Sequence, residues 1–197
     1  MSETRRVGAE KSKTRARLLD VAERLMLQGG YGSITSRRIA IEADVTSPLV
    51  HYYFPSLDDL FIALLRRRAD EELERQAAAL DSPDPIRALW RYSSDPAAVS
   101  FTLEMMALSN QRKALRAELA GYVRRFHDIQ VKALRAAVKD GRLDVDESSL
   151  PGLVATLTNA ARGIAMERGL DIGADTEVDA FIEATLDRLG RQGSAKS

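Results

Sequence analysis

The 197-residue sequence contains no cysteine, only two histidines and a single tryptophan. Without cysteine there can be no disulfide, no thiol nucleophile and no thiolate-held zinc or iron–sulfur centre, and a reducing cytosol is the natural compartment. Neither histidine has a Glu-x-x-His or His-x-x-x-His partner at helical spacing, so no metal site is expected, and nothing calls for a cofactor. No apolar run approaches the roughly 18 residues of a membrane span, and the opening MSETRRVGAEKSKTRARLL carries charges where an export signal would have its apolar core. We therefore expect a cytoplasmic protein that neither enters nor crosses a membrane. An excess of one charge is missing too: 29 basic residues balance 29 acidic ones, which excludes a polyelectrolyte chain or a basic coat protein.

The balance is uneven along the chain. Residues 1–55 hold nine basic and six acidic side chains, and residues 56–197 hold 20 and 23. A basic end on a neutral whole points to one end meeting a polyanion while the remainder does something else.

Apolar residues recur at steps of three and four, and the Pro, Gly and Asp clusters are spaced too widely for hairpins, so the fold class expected is all-α. A first helix is predicted over 12–28, with Leu18, Val21, Ala22, Leu25 and Met26 on one face and Gly29-Gly30 as its stop. Its first turns carry Lys11, Lys13, Arg15 and Arg17, which oppose the helix dipole unless an external anion offsets them. A long helix is predicted over 57–80. Ser56 and Asp59 form its capping box, and Leu60, Phe61, Leu64, Leu65, Ala69, Leu73, Ala77 and Leu80 form its apolar stripe. Two short helices follow at 84–94 and 96–109, the second apolar around most of its circumference and expected to be buried. Residues 112–139 give a further helix with a seam through Leu115, Leu119, Tyr122, Phe126, Ile129 and Ala133.

The stretch 148–166 contains one charge, Arg162, and a helix without a polar face must be covered on both sides. With the amphipathic segment 176–189 it can form a four-helix interface with a second copy, so a homodimer through the last two helices is expected. The final RQGSAKS is read as a disordered tail.

The segment TSRRIAIEADVTSPLVHYYF, Thr35 to Phe54, has the spacing of a helix-turn-helix. Ala40 sits where two helices cross at close range, Ile39, Val45 and Val50 build the small core that sets the crossing, and Asp44 takes the turn. Thr35 and either Thr46 or Ser47 serve as N-caps, with Pro48 in the first turn. A preceding basic helix and a short second helix rich in hydroxyl and aromatic side chains favour DNA binding over a structural hairpin. Thr35, Arg37 and Arg38 are placed on phosphates with His51, Tyr52 and Tyr53 as further candidates; Thr46, Ser47, Pro48 and Leu49 are placed at base edges in the major groove. Tyr53 can equally be core. Arg5 and Arg6 are read as a tail rather than a minor-groove arm.

These first 65 residues resemble the N-terminal domain of the TetR family of transcriptional regulators, on Arg15, Leu18, Leu19, Ala22, Gly30-Tyr31, Thr35, Ile39-Ala40, Ala43, Val45, Tyr53, Phe54-Pro55-Ser56 and Leu60. The resemblance implies about nine helices, a dimer built on the last two, and DNA release controlled by a ligand. It also implies a lysine after Ser56 that touches a phosphate, a glycine in the turn and a tyrosine within the recognition helix. Here those positions are Leu57, Asp44 and His51.

The reading is a helix-turn-helix DNA-binding domain at 1–55 and a helical effector-binding and dimerisation domain at 56–197. The protein is expected to be a repressor on a palindromic operator of double-stranded DNA, released when an unknown small molecule favours the conformer with misplaced heads. Candidate effector residues are Trp90, Phe101, Glu104, Met105, Leu108, Tyr122, Phe126, His127, Asn159 and Arg162. Glu104 and Arg162 stand out as lone charges in apolar helices, which should pair with each other, hold a polar ligand group or reach water. An enzyme is not expected, since nothing groups an acid, a base and a nucleophile. The alternative is an architectural or cell-division DNA-binding factor of the same fold without an effector.

Overall fold

The computed structural model describes residues 2–172 and 176–191, with side chains described over 12–172 and 176–190. Among these are nine α-helices and no strand. They are α1 (Ser2–Gly29), α2 (Ser36–Glu42), α3 (Ser47–Tyr53), α4 (Leu57–Leu80), α5 (Pro85–Ser93), α6 (Pro96–Ser109), α7 (Lys113–Lys139), α8 (Leu150–Arg168) and α9 (Thr176–Arg191). Helix α1 begins ten residues before its predicted start. The backbone at Arg5 and Arg6 is therefore helical, while their side chains, that of Lys11 and the tail beyond Arg191 lie outside the described residues.

The chain forms two compact units, one of Met1–Arg68 with Phe101–Ala120, the other of Ala69–Ser100 with Gly121–Ser197. This grouping differs from a division at residue 55, because α4, α6 and α7 each contribute to both units.

In the first unit Leu18, Leu19, Ala22, Leu25 and Met26 of α1 and Leu60, Phe61, Leu64 and Leu65 of α4 are buried. Glu23 receives Arg67 at 2.7 Å and also pairs with Arg68, and Asp20 takes Arg67 at 2.6 Å, so α1 and α4 are clamped as well as packed. The capping box at the head of α4 forms: Asp59 N–H donates to Ser56 Oγ and Ser56 N–H to Asp59 Oδ2, both at 3.1 Å. Asp58 pairs with Arg112, whose guanidinium lies 5.4 Å from the centre of the Phe61 ring.

Helix α6 is covered on one side only. Val99, Phe101, Met105 and Leu108 are buried, whereas Met106 is exposed, so the expectation of burial all round does not hold within one chain. In the second unit α5, α7, α8 and α9 enclose a core of Leu80, Ile86, Leu89, Leu134, Ala137, Leu143, Leu150, Val154, Leu157, Ile182 and Leu186. Arg87, one turn after the α5 cap Asp84, pairs with Glu183 and, at 2.8 Å, with Asp187 of α9.

Two registers differ from the predicted stripes. Beyond Ala69 the buried positions of α4 are Glu72, Gln76 and Leu80, while Leu73 is half-buried and Ala77 exposed. On α7 the buried line after Phe126 runs through Gln130, Leu134 and Ala137, leaving Ile129 and Ala133 half-buried. In both cases polar side chains occupy positions that a hydrophobic pattern assigns to leucine or alanine.

Gly30 ends α1 with φ +68°, and a Cβ there would lie 3.3 Å from both carboxylate oxygens of Glu104. Gly32, two residues on in the turn, has open space around it. Gly30→Ala should therefore lower stability by about 1–2 kcal/mol through left-handed strain, while Gly32→Ala stays within about 0.5 kcal/mol, as read by denaturant unfolding.

Candidate nucleic-acid interface and effector site

Helices α2 and α3 have seven residues each, too short to persist alone, and the first unit supplies what fixes them. Ile39, Ala40, Ala43 and Val50 are buried, and Asp44 makes the turn with φ 49°, the left-handed conformation expected of that position. Thr35 caps α2, its Oγ1 accepting from Arg38 N–H at 3.1 Å. Thr46 is the N-cap residue of α3 but its hydroxyl caps nothing, and Pro48 occupies the first turn.

With Val50 anchoring its inner side, α3 turns an outward face to solvent. Thr46, Pro48, His51 and Tyr52 are exposed, and Ser47, Leu49 and Tyr53 half-buried. Tyr53 meets the Tyr52 ring edge-on at 5.2 Å and so stands between core and surface. Thr35, Arg37 and Arg38 are exposed at the start of α2. Arg15 lies over the Phe54 ring at 5.2 Å, which joins the basic face of α1 to the end of α3. Where the resemblance implies a lysine, Leu57 is half-buried and contributes no charge.

The ten residues expected at an effector site do not stand together. Phe101, Met105 and Leu108 are buried in the first unit, with Arg68 stacked 5.0 Å from the Phe101 ring centre. Glu104, in the same unit, accepts the Tyr31 backbone N–H at 2.8 Å, so its charge is used to hold the turn after α1. Asn159 is exposed and donates to the Ala155 carbonyl at 2.8 Å. Trp90 packs against the apolar core of the second unit.

The remaining four do converge in the second unit. Tyr122 and Phe126 have ring centres 5.7 Å apart, and Tyr92, which the sequence reading missed, meets Phe126 at 5.9 Å. Arg162 lies near enough to Tyr122 and His127 for its charge to act on both. Burial, opposed by Tyr122, lowers the Arg162 pKa from its usual value. His127 is lowered by burial first and by Arg162 second, with Asp128 opposing.

The same unit buries further polar groups missed in the sequence. Gln76 is fully buried and neither its amide nitrogen nor its oxygen finds a hydrogen bond, Gln130 Nε2 is likewise unpaired, and so is Ser93 Oγ. Tyr92 donates to the Glu72 carbonyl at 2.7 Å and also meets the Glu72 carboxylate; burial above all, and then Glu72, push its phenol well above the usual range. The sequence signal for Glu72 and Gln76 is their place on the line Leu65, Ala69, Glu72, Gln76, Leu80, a continuous step of three and four. A solvent-open cleft of about 530 Å³ adjoins the Tyr92–Glu72 pair, lined also by Arg75, Ala79, Ala88 and Arg91. Among the described residues no group of three potential metal ligands stands together, and no helix is long and apolar enough to cross a membrane.

An outward helix seated on a buried hairpin, beside exposed arginines, defines a helix-turn-helix DNA-binding regulator. Comparison with known proteins gives the family. Residues 18–64 match the family described as bacterial regulatory proteins, tetR family. The HTH-type transcriptional repressor KstR2 of Rhodococcus jostii (strain RHA1) is 30% identical over 193 residues, covering 91% of this chain and 92% of that protein. The HTH-type transcriptional repressor BepR of Brucella suis biovar 1 (strain 1330) is 34% identical over 87 residues, 43% of this chain, and the chain spans 42% of its length. The crystal structure of a transcriptional regulator from Saccharomonospora viridis in complex with choline superposes with a TM-score of 0.75 at 22% identity, over 90% of this chain and 95% of that one. The chain belongs to the TetR family of bacterial regulatory proteins, which are regulators and not enzymes.

Because the folded-state pKa of His127 lies below its unfolded value of about 6.5, its neutral form contributes stability that is present above that pH. Unfolding free energy should fall as pH drops below about 6.5 and level off below the folded pKa. Histidine NMR titration and urea unfolding at several pH values check this, and His127→Gln should remove that component.

Proposed function

We propose that this chain is a repressor that occupies a palindromic operator as a homodimer and leaves it when a small molecule binds the second unit. The observation that carries the reading is the outward face of α3, on which Thr46, Pro48, His51 and Tyr52 are exposed, together with the exposed Arg37 and Arg38 of α2. In this reading Thr35, Arg37 and Arg38 hold phosphates, with His51, Tyr52 and Tyr53 in support, while Thr46, Ser47, Pro48 and Leu49 meet base edges in the major groove.

The dimer is supported by apolar surface on the last two helices and the turn after α8. Leu170 is 65% and Phe181 67% exposed, with Met166 and Ile172 also open, and the outer side of α8 presents Gly152, Thr156 and Ala160. Small side chains allow close helix approach, and a two-fold pairing would set two heads on successive turns of DNA. The effector is supported by the unpaired buried amide of Gln76, the unpaired Nε2 of Gln130 and the half-buried Arg162, and a regulator of the same fold holds choline. A factor without an effector would have no need of such an interior.

Electrophoretic retardation of a fragment from the protein's own promoter should be salt-sensitive, and Arg37→Ala with Arg38→Ala should reduce the salt slope by about one for each phosphate no longer neutralised. Unchanged affinity would overturn the phosphate assignment. Light scattering at micromolar concentration should give twice the chain mass, and Phe181→Glu should shift it towards one.

A further inference from the structure

In the second unit a row of side chains on α7 links α5 to α8. Tyr92 of α5 meets Phe126 of α7 at 5.9 Å, and Phe126 meets Tyr122 one turn earlier at 5.7 Å. One turn later on the same face stands Gln130, whose Oε1 accepts from Thr158 Oγ1 of α8 at 3.3 Å. One turn beyond Thr158 on α8 is Arg162.

Arg162 is half-buried, yet among the described residues no carboxylate lies within ion-pair distance of its guanidinium. The other arginines withdrawn from solvent behave otherwise: Arg67, Arg68 and Arg87 each hold at least one carboxylate. On α7, Tyr122 and His127 interact electrostatically with Arg162, and Asp128 with His127. A half-buried guanidinium with five donors and no carboxylate beside it can take a planar anion, and the fork geometry matches a carboxylate. The α7 face joined to α8 through Gln130 is aromatic, with Phe126 and Tyr122 one and two turns before it and Tyr92 against Phe126, and the buried Gln130 Nε2 is a donor still without an acceptor.

We propose that the effector is a small organic acid, its carboxylate held by Arg162 and its apolar body lying against Tyr122 and Phe126. The inference rests on the effector reading above and narrows it: a cationic or neutral amphiphile would leave the guanidinium unpaired. Binding gives Arg162 a charge-assisted pair, so affinity depends on the negative charge as well as on apolar area.

The test uses the full-length protein with benzoate and octanoate, each beside its neutral amide. Both calorimetric binding and release of promoter DNA are measured. At least one acid should bind while its amide binds at least tenfold more weakly. Arg162→Gln should weaken acid binding tenfold or more without affecting the amide, and Arg162→Lys should restore part of it. A second readout needs no variant: a bound acid, by offsetting the Arg162 charge, should raise the His127 titration midpoint in NMR, and the amide should not. Binding by neither acid, equal binding of acid and amide, or acid binding indifferent to Arg162→Gln would each overturn the inference. Release of DNA by the amides alone would overturn it while leaving the effector reading intact. Acid binding that requires Arg162 but leaves DNA affinity unchanged would uphold the site and remove the effector reading.

Discussion

Two helices of seven residues can keep a fixed crossing only if something larger holds them, because so short a helix is unstable by itself. Burial of Ile39, Ala40, Ala43 and Val50 in the first unit supplies that hold, and Asp44 reverses the chain between them in a conformation that most residues avoid. The platform is α1 and the first half of α4, joined by apolar packing and by Glu23 held between Arg67 and Arg68. Everything asked of α3, its outward face and its reach into a groove, depends on that platform not moving relative to the hairpin.

The second unit is built on a different principle. Its far end is an ordinary apolar core running from Leu80 to Leu186, but the neighbouring stretch buries Glu72, Gln76, Gln130 and Thr158. An unpaired buried amide costs about 1–3 kcal/mol relative to a satisfied one, so leucine at Gln76 would make a more stable protein. Retaining such groups fits a site whose partners arrive from outside, and the missing stability is what a ligand can restore on binding.

The helix-turn-helix was legible because each of its positions has a local geometrical demand: a small residue at the crossing, a turn former, a cap, a proline in the first turn. The helix set was legible from periodicity. What the sequence concealed follows from a single assumption, that polar residues lie outside. It hid Glu72, Gln76 and Gln130, shifted the stripes of α4 and α7 by one position, and left Tyr92 unremarked beside Trp90. Glu104 attracted notice as a lone charge, but its partner is a backbone amide 73 positions away, for which composition and spacing carry no signal.

That long reach has a consequence for how the protein is made. Domains ordinarily fold as they leave the ribosome, amino end first. Here the first unit includes Phe101–Ala120, and the turn after α1 awaits Glu104 to receive the Tyr31 N–H. The amino-terminal unit is thus completed only after roughly 120 residues have been synthesised and have left the exit tunnel, so a nascent chain halted earlier would expose an unfinished platform to chaperones.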